Sequence, residues 1–146
     1  MTITESLHVR LALAASRPAA SEASLSALTT FFHSSGCSLP DDYRALLGEA
    51  TELEISVDRD AHIRLWDPAG VVEMNEAHSL QSYLQEAVAI GDDEGEDIYV
   101  FMTGESGFGI YRTSFADPDP DEVVFISSSI RDLLVDGRGL DLLFDW

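Results

Sequence analysis

The stretch that decides the fold is Ala87–Ser127, "AVAIGDDEGEDIYVFMTGESGFGIYRTSFADPDPDEVVFIS". Four β-rich runs follow one another here, Ala87–Ile90, Asp97–Thr103, Gly107–Ser114 and Glu122–Ser127, each bounded by Gly, Pro or Asp. Such punctuation marks strand ends because these residues tolerate turn geometry and break the ladder. The connections "GDDEGE", "GESG" and "FADPDPD" are too short for the crossover that parallel neighbours need, so the four strands are predicted to form an antiparallel meander. "IYVFM" and "VVFI" are apolar at consecutive positions, which predicts a sheet covered by helices on one face and partly covered on the other.

Working outward, "LEISVD" and "HIRLWD" alternate apolar and polar residues, predicting strands over Leu53–Asp58 and His62–Trp66 with a turn at Asp58–Ala61. Asp67-Pro68 reads as an N-cap followed by proline in the first turn, opening a helix through "AGVVEMNEAHSLQSYLQEA" that breaks near Asn75. Upstream, Thr4 to Ser16 is predicted helical and stopped by Pro18. Ser21 or Ser24 caps a second helix with Leu25, Leu28, Phe31 and Phe32 on its apolar face and Gly36 at its end. "SLPDDYRALLGEA" gives a short third helix, with Asp41 and Asp42 at the positive end of the dipole and Tyr43, Leu46 and Leu47 in one stripe. Downstream, Ser127 or Ser128 caps a helix over "SIRDLLVDG" with Ile130, Leu133 and Leu134 packed inward. The tail "LDLLFDW" packs through Leu140, Leu143 and Phe144. The expectation is one α+β domain over residues 1–146, a mainly antiparallel sheet packed with N-terminal, middle and C-terminal helices.

Composition limits the chemistry. Acids outnumber bases 27 to 8, a net charge of -19, and all eight bases are arginine. A chain without lysine has no Schiff-base amine, no P-loop lysine and no kinase-type lysine. The charge repels phosphate backbones and anionic lipid, which predicts no direct nucleic-acid or membrane binding and favours a basic protein partner. The single cysteine, Cys37, fits a reducing compartment. "LALAA" is no secretory signal, because Glu5 stands where positive charge belongs and Arg10 interrupts the run; a cytoplasmic location is expected.

The acidic cluster has a predicted place. In a meander the first and third connections fall at the same end of the sheet. Asp92, Asp93, Glu94, Glu96 and Asp97 are therefore expected beside Asp117, Asp119, Asp121 and Glu122, a patch of nine carboxylates and the candidate partner-binding surface. An EF-hand register fails: with Gly95 at its sixth position, Ile90 and Phe101 occupy ligand positions. No metal, cofactor or catalytic residue is expected, although a looser Mg²⁺ site through Asp92 and Glu94 is the alternative enzyme reading. His33 and Cys37 have helical spacing without a second ligand pair, and "GESGFG" is a hairpin turn rather than a nucleophile elbow or a dinucleotide loop.

"SLPDDYRALL" is similar to the entry helix of SMI1/KNR4 proteins of the SUKH superfamily. The resemblance continues through "IRLWDPAGVVEMNEA", "AVAIGDDEGEDIYVF" and "FISSSIRDLLVDG", covering Ser38–Gly137. It implies helices around an antiparallel sheet, no catalytic residues, and, for many bacterial members, immunity proteins that neutralise toxin domains, often nucleases. An intracellular adaptor or scaffold of the same fold is the alternative that the resemblance also carries.

Overall fold

Seven strands, β1 (Leu11–Arg17), β2 (Thr51–Val57), β3 (Ala61–Leu65), β4 (Val88–Asp92), β5 (Asp97–Gly104), β6 (Gly107–Ser114) and β7 (Val124–Ser127), pair antiparallel in chain order in the computed structural model, which describes residues 1–144. The four-strand meander is thus the C-terminal part of one larger sheet. Helices α1 (Glu22–Ser34), α2 (Asp41–Leu47), α3 (Pro68–Ala77) and α4 (Ile130–Leu134) complete an α+β domain. Short 3₁₀ segments lie at Leu80–Ser82 and Leu140–Phe144.

Local rules explain most of the elements. Ser21, Asp67 and Ser129 each accept a hydrogen bond from the backbone N–H three residues on, capping α1, α3 and α4, and Pro68 fills the first turn of α3. The cap of α4 lies one or two residues beyond the expected Ser127 or Ser128, because Ser127 is still held in β7. In β2 and β3 the alternation places Leu53, Ile55, Val57, Ile63 and Leu65 in the core. Rings of Phe32 from α1, Tyr43 from α2 and Phe101 from β5 meet at centroid distances of 5.3–6.4 Å, fastening both helices to the middle of the sheet.

Three expectations are corrected. Thr4–Ser16 is not a helix: Leu11–Arg17 is an edge strand on β2, and the residues before it form turns. Alanine and leucine favour helix only weakly, and the open ladder of β2 offers this segment backbone partners that local propensity does not foresee. The helix after Asp67 does not break at Asn75 but runs to Ala77. The Asn75 side chain is buried there, accepting from the Ala89 N–H (2.9 Å) and donating to the Ala89 carbonyl (2.8 Å). It takes the position a neighbouring strand would hold, since β3 pairs with β4 only at Arg64 with Asp92 and Leu65 with Gly91. Finally, Phe144 is exposed while Leu140 and Leu143 are buried; Asp145 and Trp146 of the same tail lie outside the described residues.

Gly91 fixes the junction between the two parts of the sheet. A Cβ at this position would collide with the Arg64 carbonyl oxygen, so only glycine lets β4 approach β3 this closely. The pairing carries β4 two residues past the predicted end at Ile90, and Asp92 becomes a strand residue.

Candidate functional site

The acidic end of the sheet is built around two arginines. Asp92, on β4, is 6% exposed. Its Oδ2 accepts from Arg64 Nε (3.2 Å), Arg64 Nη2 (2.7 Å) and Trp66 Nε1 (2.8 Å), and its Oδ1 from the Glu94 N–H (2.8 Å). The bond to Asp92 holds the Arg64 guanidinium above its ordinary value. Asp93 Oδ1 accepts from the backbone of Gly95 and Asp97, shaping the turn, while its Oδ2 takes Arg112 Nη2 at 2.8 Å. Arg112, on β6 and 5% exposed, also donates Nε to Asp97 Oδ2 (3.0 Å) and Nη1 to the Leu143 carbonyl (3.1 Å). One buried guanidinium thereby joins both ends of the acidic turn to the C-terminal 3₁₀ segment. Beneath it lies the Tyr99 ring, 6.0 Å from the guanidinium carbon, whose hydroxyl donates to the His62 carbonyl. Burial raises the pKa of that phenol, which keeps it neutral.

Three of the nine predicted carboxylates, Asp92, Asp93 and Asp97, are therefore tied inward. They hold the turn in shape, and Asp92 in particular presents no free acid to a partner. The exposed members are Glu94, Glu96, Asp117, Asp121 and Glu122, with Asp119 half-buried. Glu94 Oε2 lies 3.0 Å from His62 Nδ1.

The first and third connections meet as strand order requires, because the Phe115 N–H donates to the Glu96 carbonyl (2.9 Å) and the Asp117 N–H to Ser114 Oγ. They do not stay together. By Pro120 and Asp121 the third connection has folded back along the sheet, where both line a pocket of about 210 Å³ with Gly104, Glu105, Ser106, Tyr111, Val123 and Phe125. Asp121 belongs with the opposite hairpin turn, a correction to the single patch. Asp119 bridges the two regions, accepting the Asp121 N–H on its side chain and the Glu122 N–H on its carbonyl. The surface is an acidic band running from Glu94 and Glu96 through Asp117 towards Asp121, rather than one compact end.

Arg64, Trp66 and Arg112 were not singled out by the sequence. Their role depends on register: Arg64 lies opposite Asp92, and Arg112 opposite Tyr99 and two places from Ser114, the partner of Asp97. Among the described residues, no group of three or more His, Cys, Asp or Glu side chains is arranged to hold a metal ion. His33 and Cys37 both line an open depression between α1 and α2, but Cys37 is buried, its sulfur 3.8 Å from the Ser38 and Phe101 carbonyl oxygens.

Sheet topology, helix placement and the acidic band define a small antiparallel α+β domain whose built surface is electrostatic rather than a deep cleft. The chain belongs to the SMI1/KNR4 family (SUKH-1), whose sequence profile matches residues 19–136, from just after β1 to the end of α4. No curated protein matches the sequence significantly. No helix among the described residues is long and apolar enough to cross a membrane.

Proposed function

We propose that the chain is a non-catalytic protein-binding module of the immunity type, acting in the cytoplasm, whose acidic band covers a basic surface on a toxin domain, in the first place a nuclease. The observation that carries this reading is the division of labour among the carboxylates. Asp92, Asp93 and Asp97 are engaged with Arg64 and Arg112, and Glu94, Glu96, Asp117, Asp121 and Glu122 face outward. A turn whose shape is set by buried ion pairs presents its remaining charges without having to order itself on binding. A nuclease must hold phosphates with positive charge, so a fixed negative surface is its electrostatic complement and speeds their encounter. Family membership supports the same reading, since the sequence resembles a family in which many bacterial members are immunity proteins.

The test uses the tagged full chain as bait in its native cell, with captured proteins identified by mass spectrometry and the main partner then expressed with and without this chain. The expected partner is a basic protein carrying a growth-arresting domain, and co-expression restores growth. A partner with no toxic domain favours the adaptor reading of the same fold. A toxic partner that still arrests growth in the presence of the chain overturns the immunity reading.

A further inference from the structure

We propose that the outer edge of β1 is a self-association surface, joining the same edge of a second copy about a two-fold axis to continue the sheet. β1 is the first strand of the sheet, and no described strand pairs with its outer side. Six of its seven residues, Ala12–Arg17, are exposed. An unpaired edge of this length presents a row of N–H and C=O groups that another strand can satisfy. The opposite edge, β7, has four residues and is packed by α4 and the C-terminal 3₁₀ segment.

Charge selects the occupant. The chain carries -19, yet residues 6–21 contain no carboxylate at all, and their only formal charges are Arg10 and Arg17. The nearest acids lie one strand further in. Asp58 is held by Arg10 at 2.6 Å, and Glu52 and Glu54 line a depression that Arg17 shares. Two copies approaching by their acidic bands repel each other; approaching by β1 they bring alanine, leucine and serine together. Val9 and Leu13, two of the large apolar residues the chain leaves exposed, lie at this edge. In an antiparallel pair centred on Leu13 and Ala14 the two strands are mutually complementary, as a two-fold contact requires. Register shifts on the β2 side after Leu13 and Ala15 limit regular pairing to the first part of the strand. The contact is therefore small, below the roughly 1,000 Å² expected of a tight interface, and the dimer is weak and concentration-dependent.

Sedimentation velocity on the full chain over a range of concentrations, at low and high salt, tests this directly. The expected result is a monomer–dimer equilibrium that strengthens with salt, because screening removes the general repulsion. Ala14 is exposed, so Ala14→Glu and Ala14→Arg should both leave the thermal midpoint unchanged. Each alone is expected to weaken dimerisation about fivefold, as like charges face each other across the strands. An equimolar mixture of the two recovers it. A monomer at every concentration and salt, a dimer indifferent to both substitutions, or a mixture that fails to recover association overturns the proposal.

Discussion

Replacing Arg112 by methionine tests whether the acidic turn is held by the buried guanidinium. The substitution keeps the length of the side chain and removes its bonds to Asp93 Oδ2, Asp97 Oδ2 and the Leu143 carbonyl. Breaking a fully buried ion pair costs about 3–5 kcal/mol, because the stranded partner keeps its desolvation penalty. Here the stranded side chains are 16% and 26% exposed, so water reaches them and relieves part of that penalty. Against this, two carboxylates on one short turn are left without a shared cation, and a buried carbonyl loses a donor. The expected loss is about 2–4 kcal/mol. In urea, with a slope of about 1–3 kcal/mol per molar, that moves the unfolding midpoint by roughly 1–2 M, and the thermal midpoint falls by about 5–15 °C. Arg112→Lys retains the charge without the fork and should fall between the two. Adding Asp93→Asn and Asp97→Asn to Arg112→Met should restore part of the loss, since the unpaired charges go with the cation. A loss below about 1 kcal/mol with an unchanged slope would refute the reasoning, showing that the pairs merely coexist with a turn that other contacts hold.

Asn75→Ala should cost about 2–4 kcal/mol by the same urea assay, because the buried Ala89 N–H and C=O lose their only substitute for a strand neighbour; hydrogen exchange at Ala89 should accelerate with it. Burial pushes the Cys37 thiol up to about 12, so native protein at pH 8 should react with thiol reagents no faster than it unfolds. The fold binds this proton more tightly than the unfolded chain, whose thiol titrates near 9.0. The contribution is therefore complete below pH 9 and lost as pH rises towards about 12. Cys37→Ala should remove that part of the alkaline slope.

Where local chemistry decides structure, the sequence is legible. Ser21 caps α1, Asp67-Pro68 opens α3, the alternation in β2 and β3 gives the buried face, and short Gly- and Asp-rich connections enforce a meander. Where structure depends on what another segment offers, it is not. "LALAASR" has helical composition and becomes a strand because β2 has an edge to fill. Asn75 looks like a helix breaker and is instead the polar bridge between α3 and β4. The acidic cluster shows both sides. That it lies at the end of a hairpin, beside the start of the third connection, follows from strand order and loop length. That Asp92 turns inward depends on Gly91, which draws β4 against β3 and brings Arg64 and Trp66 within reach. The departure of Asp121 from the patch depends on the path of a loop rich in Asp and Pro, whose backbone satisfies itself through Asp119 rather than through a strand.

The central claim is that the outward carboxylates guide and hold a basic partner while the inward ones only shape the turn. It is tested most directly by stopped-flow association of the full chain with the partner captured from its native cell, over a series of salt concentrations. The comparison is with a variant carrying Glu94→Gln, Glu96→Gln, Asp117→Asn and Glu122→Gln, all at exposed positions. The account predicts that the wild-type association rate is fast and falls steeply with salt, and that the variant associates at least tenfold more slowly with a nearly flat dependence, on the order expected when steering is lost. Equal rates and equal salt slopes for the two proteins would contradict it and place the interface away from the acidic band.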